Sequence, residues 1–149
     1  MADKGKVGTL YNFDWVVERG KIAEFTAALR DAPPSSGEVA AAFHEENKDP
    51  LTPPTFTTVP VMYSGVLFKA FEDLSIPLSR IMHAEQSYEY LGVIRPGDRL
   101  HGTMEIKSVT ERQGRSGPME FVLFETTFVN QHQQIVVREQ MLIVERRTS

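Results

Sequence analysis

From residue 86 to residue 145 the chain holds to a hydrophobic period of two. The segments "QSYEYLGVI", "RLHGTMEIKSV", "MEFVLFETTFV" and "QIVVREQMLIVE" alternate apolar with polar side chains, and only "RPGD", "ERQGRSGP" and "NQHQ" separate them. Alternation of this kind marks strands with one face on a core, and short links rich in Gly, Pro and Asn mark the turns between them. Four long antiparallel strands in a meander are expected. There is no strand-helix-strand alternation and no glycine-rich phosphate loop, which argues against a doubly wound nucleotide-binding fold.

The first half decides what covers that sheet. Tyr11, Phe13, Trp15 and Val17 alternate with polar or small residues and predict a first short strand. Residues 21–32, "KIAEFTAALRDA", change to helical spacing, with Ile22, Phe25 and Leu29 on one face and Pro33-Pro34 as the stop. "PPSSGEV" then breaks regularity, and "PLTPPTF" is held extended because proline disfavours helix in the residue before it. After Thr57 and Thr58, with Pro60 suited to a first helical turn, "VMYSGVLFKAFEDL" places Met62, Val66, Leu67, Phe71 and Leu74 around most of one long helix. A helix apolar nearly all round is a buried helix. Strand, long central helix, four strands is the order of an α+β hotdog fold, an antiparallel sheet wrapped around its helix. Such a sheet leaves strand edges open, so pairing with a second unit into a double hotdog is expected.

At 149 residues and 41% apolar content the chain has the size and the core of one domain, 1–149. Lys and Arg number 16 against 20 Asp and Glu, a net charge of −4 without a basic stripe, so no nucleic-acid partner is expected. Cysteine is absent, which excludes disulfides and thiolate chemistry and fits a reducing compartment. "MADKGKVGTL" lacks the apolar core of a signal peptide, and no apolar run nears the roughly 20 residues that span a bilayer. The expectation is a cytoplasmic protein with no membrane association. The four histidines show no metal-ligand spacing, and neither a metal nor another cofactor is expected.

Two stretches, "LTPPTF" and "MHAEQSYEYLGVIRPGDRLHGTMEI", resemble the N-terminal half of MaoC-type dehydratases. They are similar above all to the non-catalytic hotdog subunits of bacterial (3R)-hydroxyacyl-thioester dehydratases. In that pattern a Pro-rich turn precedes the central helix, here Pro53, Pro54, Thr55 and Phe56. A His-x-x-Gln opens the next strand, here His83 and Gln86, and an Arg-Pro-Gly-Asp turn follows, here Arg95 to Asp98. The resemblance implies an acyl-CoA or acyl-ACP thioester lying along the seam of a double hotdog. The partner would be a second copy, giving a homo-oligomer, or a catalytic MaoC-like subunit, giving a heterodimer.

Catalytic members of that family carry Asp-x-Asn-Pro-x-His after the first helix. One carboxylate and one imidazole then act on the same water, as reversible addition across an enoyl thioester requires. Here the stretch reads "ALRDAPPSSGEVAAAFHEEN": Asp31 is followed by Ala-Pro-Pro, and the next histidine, His44, stands 13 residues on. Asp31 and His44 are therefore weak catalytic candidates, with a helix-end carboxylate and a surface imidazole as the plain alternative.

Pro54, Phe56, Met62, Val66, His83 and Gln86 are the substrate-binding candidates. The helical residues among them also suit ordinary core packing, and His83 with Gln86 also suits strand-edge hydrogen bonding. Glu72 and Asp73 sit near a helix end and read as a solvated turn, Lys69 and Arg95 could meet the phosphates of coenzyme A, and His101 and His132 read as exposed. The function expected is the thioester-binding subunit of a (3R)-hydroxyacyl-CoA/ACP dehydratase whose acid/base residues come from a partner. The rival readings are a non-enzymatic acyl-thioester-binding homodimer and a self-sufficient hydratase or thioesterase using Asp31, His44 or Glu72. Acyl length and carrier stay open.

Overall fold

The computed structural model describes residues 2–29, 52–114 and 117–146. Five strands form one antiparallel sheet: β1 (Leu10–Val16), β2 (Ile81–Tyr90), β3 (Arg99–Gly114), β4 (Gly117–Val129) and β5 (Ile135–Arg146). Helix α1 (Arg19–Ala28) follows β1, and α2 (Thr58–Tyr63) and α3 (Val66–Asp73) precede β2. The sheet order is β1-β3-β4-β5-β2, with every pair antiparallel. This is the hotdog fold that the order of elements predicts.

Alternation in β4 explains how the sheet acquires its inside. Glu120, Val122, Phe124, Thr126 and Phe128 are all buried, while the residues between them stay partly exposed. Helix α3 lies against that face through Leu67, Ala70 and Phe71, and Phe71 meets Phe124 edge to face at 5.9 Å. The opposite face carries a polar ladder. It includes Thr103 with Asn12 at 2.8 Å, His101 with Asp14 at 2.9 Å and Gln140 with Glu125 at 2.8 Å.

Two expectations are corrected. The central helix is not continuous: Gly65 adopts φ +78°, and the chain breaks at Ser64-Gly65 into α2 and α3. A left-handed residue cannot continue a right-handed helix, and glycine accepts that conformation without steric cost. The break turns Met62 and Tyr63 outward, at 40% and 70% exposure, where an unbroken buried helix would have covered Met62. Nor do the four later strands form one meander. β3, β4 and β5 do, but β2 lies across the sheet beside β5, and residues 91–98 carry the chain over the end of the sheet to β3.

Gly102 on β3 sits between Phe13 on β1 and Phe128 on β4. A Cβ there would lie 2.2 Å from the tip of the Phe13 ring, which itself packs edge to face on Phe128 at 5.8 Å. Gly102→Ala is therefore expected to lower stability by about 2 kcal/mol through overpacking, and Phe13→Leu in the same chain to recover part of the loss. Urea melts of the three variants check this.

Among the described residues no helix is long and apolar enough to cross a membrane.

Candidate functional site

Residues 52–57 cannot run as helix, because Pro53 and Pro54 fix the backbone in an extended start. They close into a turn in which the Phe56 N–H donates to the Pro53 carbonyl at 3.1 Å and the Thr58 N–H to that of Thr55 at 3.0 Å. Thr55 takes φ +73°, a conformation that costs a β-branched residue of order 1–3 kcal/mol. Opposite this turn, Leu91 and Gly92 follow β2 and both donate to the Val136 carbonyl, at 2.8 and 3.0 Å. Thr52 spans the gap, its hydroxyl donating to the Ile94 carbonyl at 3.3 Å.

Between the two walls is a cleft of about 230 Å³. Pro53, Pro54, Phe56 and Thr57 form one side, and Tyr90, Val93 and Ile94 the other. Phe56 is buried at its floor against Phe25 of α1, ring centroids 5.8 Å apart. Tyr90 and Val93 stand at its mouth, each more than half exposed.

Side chains from the sheet hold the turn. The Tyr90 hydroxyl accepts from the Thr55 N–H at 3.1 Å, the Tyr88 hydroxyl pairs with that of Thr58 at 2.9 Å, and the Thr57 hydroxyl donates to Glu139 Oε2 at 2.7 Å. Tyr88 and Tyr90 stack at 6.0 Å. Glu139 is only 4% exposed, and burial pushes its carboxyl up to about 7, with the hydroxyls of Thr57 and Thr126 pulling the other way. Burial likewise raises Tyr88.

Of the binding candidates, Pro54 and Phe56 line the cleft. Val66 opens α3 and packs against the core, and Met62 points outward from α2. His83 and Gln86 are three apart in a strand, which would place them on opposite faces. A bulge between His83 and Glu85 restores them to one face, and His83 Nε2 meets Gln86 Oε1 at 3.1 Å. They follow the same face as Tyr88 but are not part of the cleft lining. Asp31 and His44 lie outside the described residues.

Of the remaining ionisable candidates, Asp73 accepts from Tyr11 at 2.9 Å and pairs with Lys69 at 2.7 Å, a brace between α3 and β1. Arg95 caps its turn through its backbone N–H on Asp98. Glu139, Tyr88 and Tyr90 were not expected at the site. Glu139 had a signal in the sequence, since in "VVREQMLIV" it falls in phase with Val137, Met141 and Ile143.

Comparison with known proteins agrees with this architecture. The model of the FAS1-like, dehydratase domain region family matches residues 6–139. A UPF0336 protein of Leifsonia xyli is 35% identical over 95 residues, and the match covers 64% of this chain and 64% of that relative. A structure titled MaoC-like dehydratase superposes with a TM-score of 0.73 at 26% identity, covering 95% of this chain and 42% of the other. A chain of the C-terminally truncated HadBC (3R-hydroxyacyl-ACP dehydratase) complex from Mycobacterium tuberculosis gives 0.69 at 23% identity, covering 93% of this chain and 96% of that one. With the fold, the Pro-rich turn and the family match in agreement over nearly the whole chain, this protein belongs to the FAS1-like dehydratase domain region family and shares the hotdog fold of MaoC-like dehydratases.

Proposed function

We propose that this chain is the thioester-binding subunit of a hydro-lyase that interconverts (3R)-hydroxyacyl and enoyl thioesters, working beside a hotdog subunit that supplies the acid and base. The observation that carries this reading is the cleft itself. It is apolar, backed by a rigid Pro-Pro wall and open at the β2 side of the sheet, yet among its described lining residues none bears a carboxylate or an imidazole. Those described lining residues can hold an acyl chain, but none of them is an acid or base able to move the proton of a water. The sequence has no Asp-x-Asn-Pro-x-His to fill that role.

Pairing with a partner is supported by the edges. β2 is an edge strand, and Tyr90, Leu91 and Val93 at its end beside the cleft are exposed apolar residues, as is Met82 near its start. An open edge strand of ten residues, with exposed apolar side chains at both ends, calls for a covering strand. HadBC, a dehydratase complex whose chain superposes on this one, supports a second hotdog subunit as that cover. The substrate is an acyl thioester of coenzyme A or acyl carrier protein, and Pro54, Phe56 and Thr57 are its wall.

Alone, the purified chain is expected to hydrate crotonyl-CoA at less than about a hundredth of a typical enzyme turnover of order 10 per second. Mixed with a MaoC-like subunit that carries Asp-x-Asn-Pro-x-His, it should form a heteromer by light scattering and turn over at that typical rate. Full turnover by the chain alone would replace this reading with a self-sufficient hydratase. Acyl-CoA binding by a homodimer that no catalytic subunit activates would replace it with a non-enzymatic carrier.

A further inference from the structure

Glu139 is placed where the core asks for an aliphatic side chain. On β5 it follows Val137 and precedes Met141 on the inner face, opposite Thr126 of β4 and Tyr88 of β2. A buried carboxyl in such a row is retained at a cost, and packing gives no reason for it. What it touches does: the Thr57 hydroxyl, 2.7 Å away, belongs to the cleft wall, and Thr57 is itself only 2% exposed. Among the described residues, the side-chain bonds that Tyr88 and Tyr90 make to this wall are solvent-exposed. The wall also contains the strained Thr55, and a strained turn persists only where its surroundings over-determine it. The buried Thr57–Glu139 bond is the one that water cannot replace without opening the wall.

We propose that Glu139 is a positioning residue of the cleft, locking the Pro53–Thr58 wall through Thr57 while its carboxyl is neutral and releasing the wall when that carboxyl ionises. The acyl-thioester role of the wall rests on the function proposed above; the lock itself does not. With the wall closed the group is desolvated, and that penalty on its ionised form outweighs the Thr57 and Thr126 bonds that favour it, so it holds its proton tightly; with the wall open it is hydrated and holds it as an ordinary carboxyl does. Rising pH therefore favours the open form, and the change runs from about 4.5, the ordinary value that the open form keeps, up to about 7, where burial sets the closed form. Among the described residues, Thr57, Thr126 and Tyr88 face Glu139, and of these Tyr88 alone titrates, burial raising it further from this range. The neighbours in sequence point to the other face of the sheet, Arg138 to Glu89 at 3.3 Å and Gln140 to Glu125 at 2.8 Å.

The test titrates the full chain with hexanoyl-CoA at about pH 6 and about pH 8, as wild type, Glu139→Gln and Glu139→Ala, beside amide exchange at residues 55–59 corrected for intrinsic rates. In the wild type the exchange rate should rise about tenfold between the two conditions, and the Kd should rise with it by at most that factor, as the closed fraction falls. Glu139→Gln keeps an acceptor for Thr57 and cannot ionise, so neither value should change between the two conditions. Glu139→Ala should resemble the wild type at high pH in both conditions. If wild type and Glu139→Gln respond to pH alike, or neither responds, the proposal is overturned. If no variant binds hexanoyl-CoA while exchange follows the expected pattern, the lock stands and the acyl-thioester reading fails. Glu139→Gln preserves the core volume, so the comparison does not depend on the alanine variant folding.

Discussion

Phe128→Asp is expected to abolish folding, while Leu142→Asp, a change of the same kind one strand away, is expected to cost about 1 kcal/mol. The two residues stand on opposite faces of the sheet. Phe128 is fully buried on the inner face against Phe13 and pairs across the ladder with Gly102 and Val137. Removing its ring alone would cost about 3–5 kcal/mol, and an unpaired carboxylate in its place several more, which together match the whole stability of a domain of this size. Leu142 pairs with Leu123 on the outer face, where both are partly exposed and a carboxylate can reach water. Circular dichroism of the first variant and a urea melt of the second decide the matter. Cooperative unfolding of Phe128→Asp near the wild-type midpoint would mean that the core has been placed on the wrong face.

The second large effect is a dependence of global stability on pH. Glu139 has an ordinary carboxyl value of 4.5 when unfolded and about 7 when native, raised by burial. The native state thus binds the proton more tightly than the unfolded state. Below about pH 4.5 both states are protonated and nothing is lost. As pH rises towards 7 the unfolded state alone gives up its proton, and the native state loses about 3 kcal/mol relative to it, a loss that stays constant above 7. Glu139→Gln carries no such term. The difference in unfolding free energy between variant and wild type should therefore shift by about 3 kcal/mol in the variant's favour from about pH 4 to about pH 8, as denaturant titrations would measure it. A difference that does not change with pH would show that the carboxyl is hydrated in the native protein.

The strands of the second half were legible because their residues obey one rule over long stretches. In β3, β4 and β5 alternation gives the strand, the phase gives the buried face, and short links give the hairpins. What the sequence hid were the places where one residue overrides its surroundings. Gly65 sits in a run that reads as helix throughout, and nothing local separates a tolerated glycine from one that turns left-handed. The bulge beside His83 is equally silent, although it decides that His83 and Gln86 share a face. The position of β2 beside β5 could not be read from spacing, since a turn sequence such as "RPGD" ends a strand without saying where the next one pairs.

The cleft was half visible. Pro54 and Phe56 announced a rigid approach to the helices, and they line it. The wall's supports come from residues distant in sequence, and each looked ordinary where it stood. Glu139 was the exception, an acidic residue in phase with the core. Glu120 and Glu145 share that trait: they face each other across β4 and β5, buried, with the Ala2 N–H donating to Glu120 at 2.8 Å and Arg80 beside Glu145 at 3.4 Å. Burial raises Glu145 as well, against the pull of Arg80.

The strand order carries a consequence for how the molecule assembles from its unfolded chain. β3, β4 and β5 meet through hairpins, with Gly114 opposite Gly117, so their pairing closes only short loops. β1 reaches β3 with Leu10 opposite Glu105, and β2 reaches β5 with Ile81 opposite Glu145, so both edges must wait for long loops to close. Because that closure is a cost met before the contacts form, the three-stranded centre is the natural nucleus and the edges dock late. The tyrosines that brace the cleft wall both come from β2. The binding surface is thus completed by the last strand to arrive, and its persistence follows the lifetime of an edge rather than that of the hairpins beneath it.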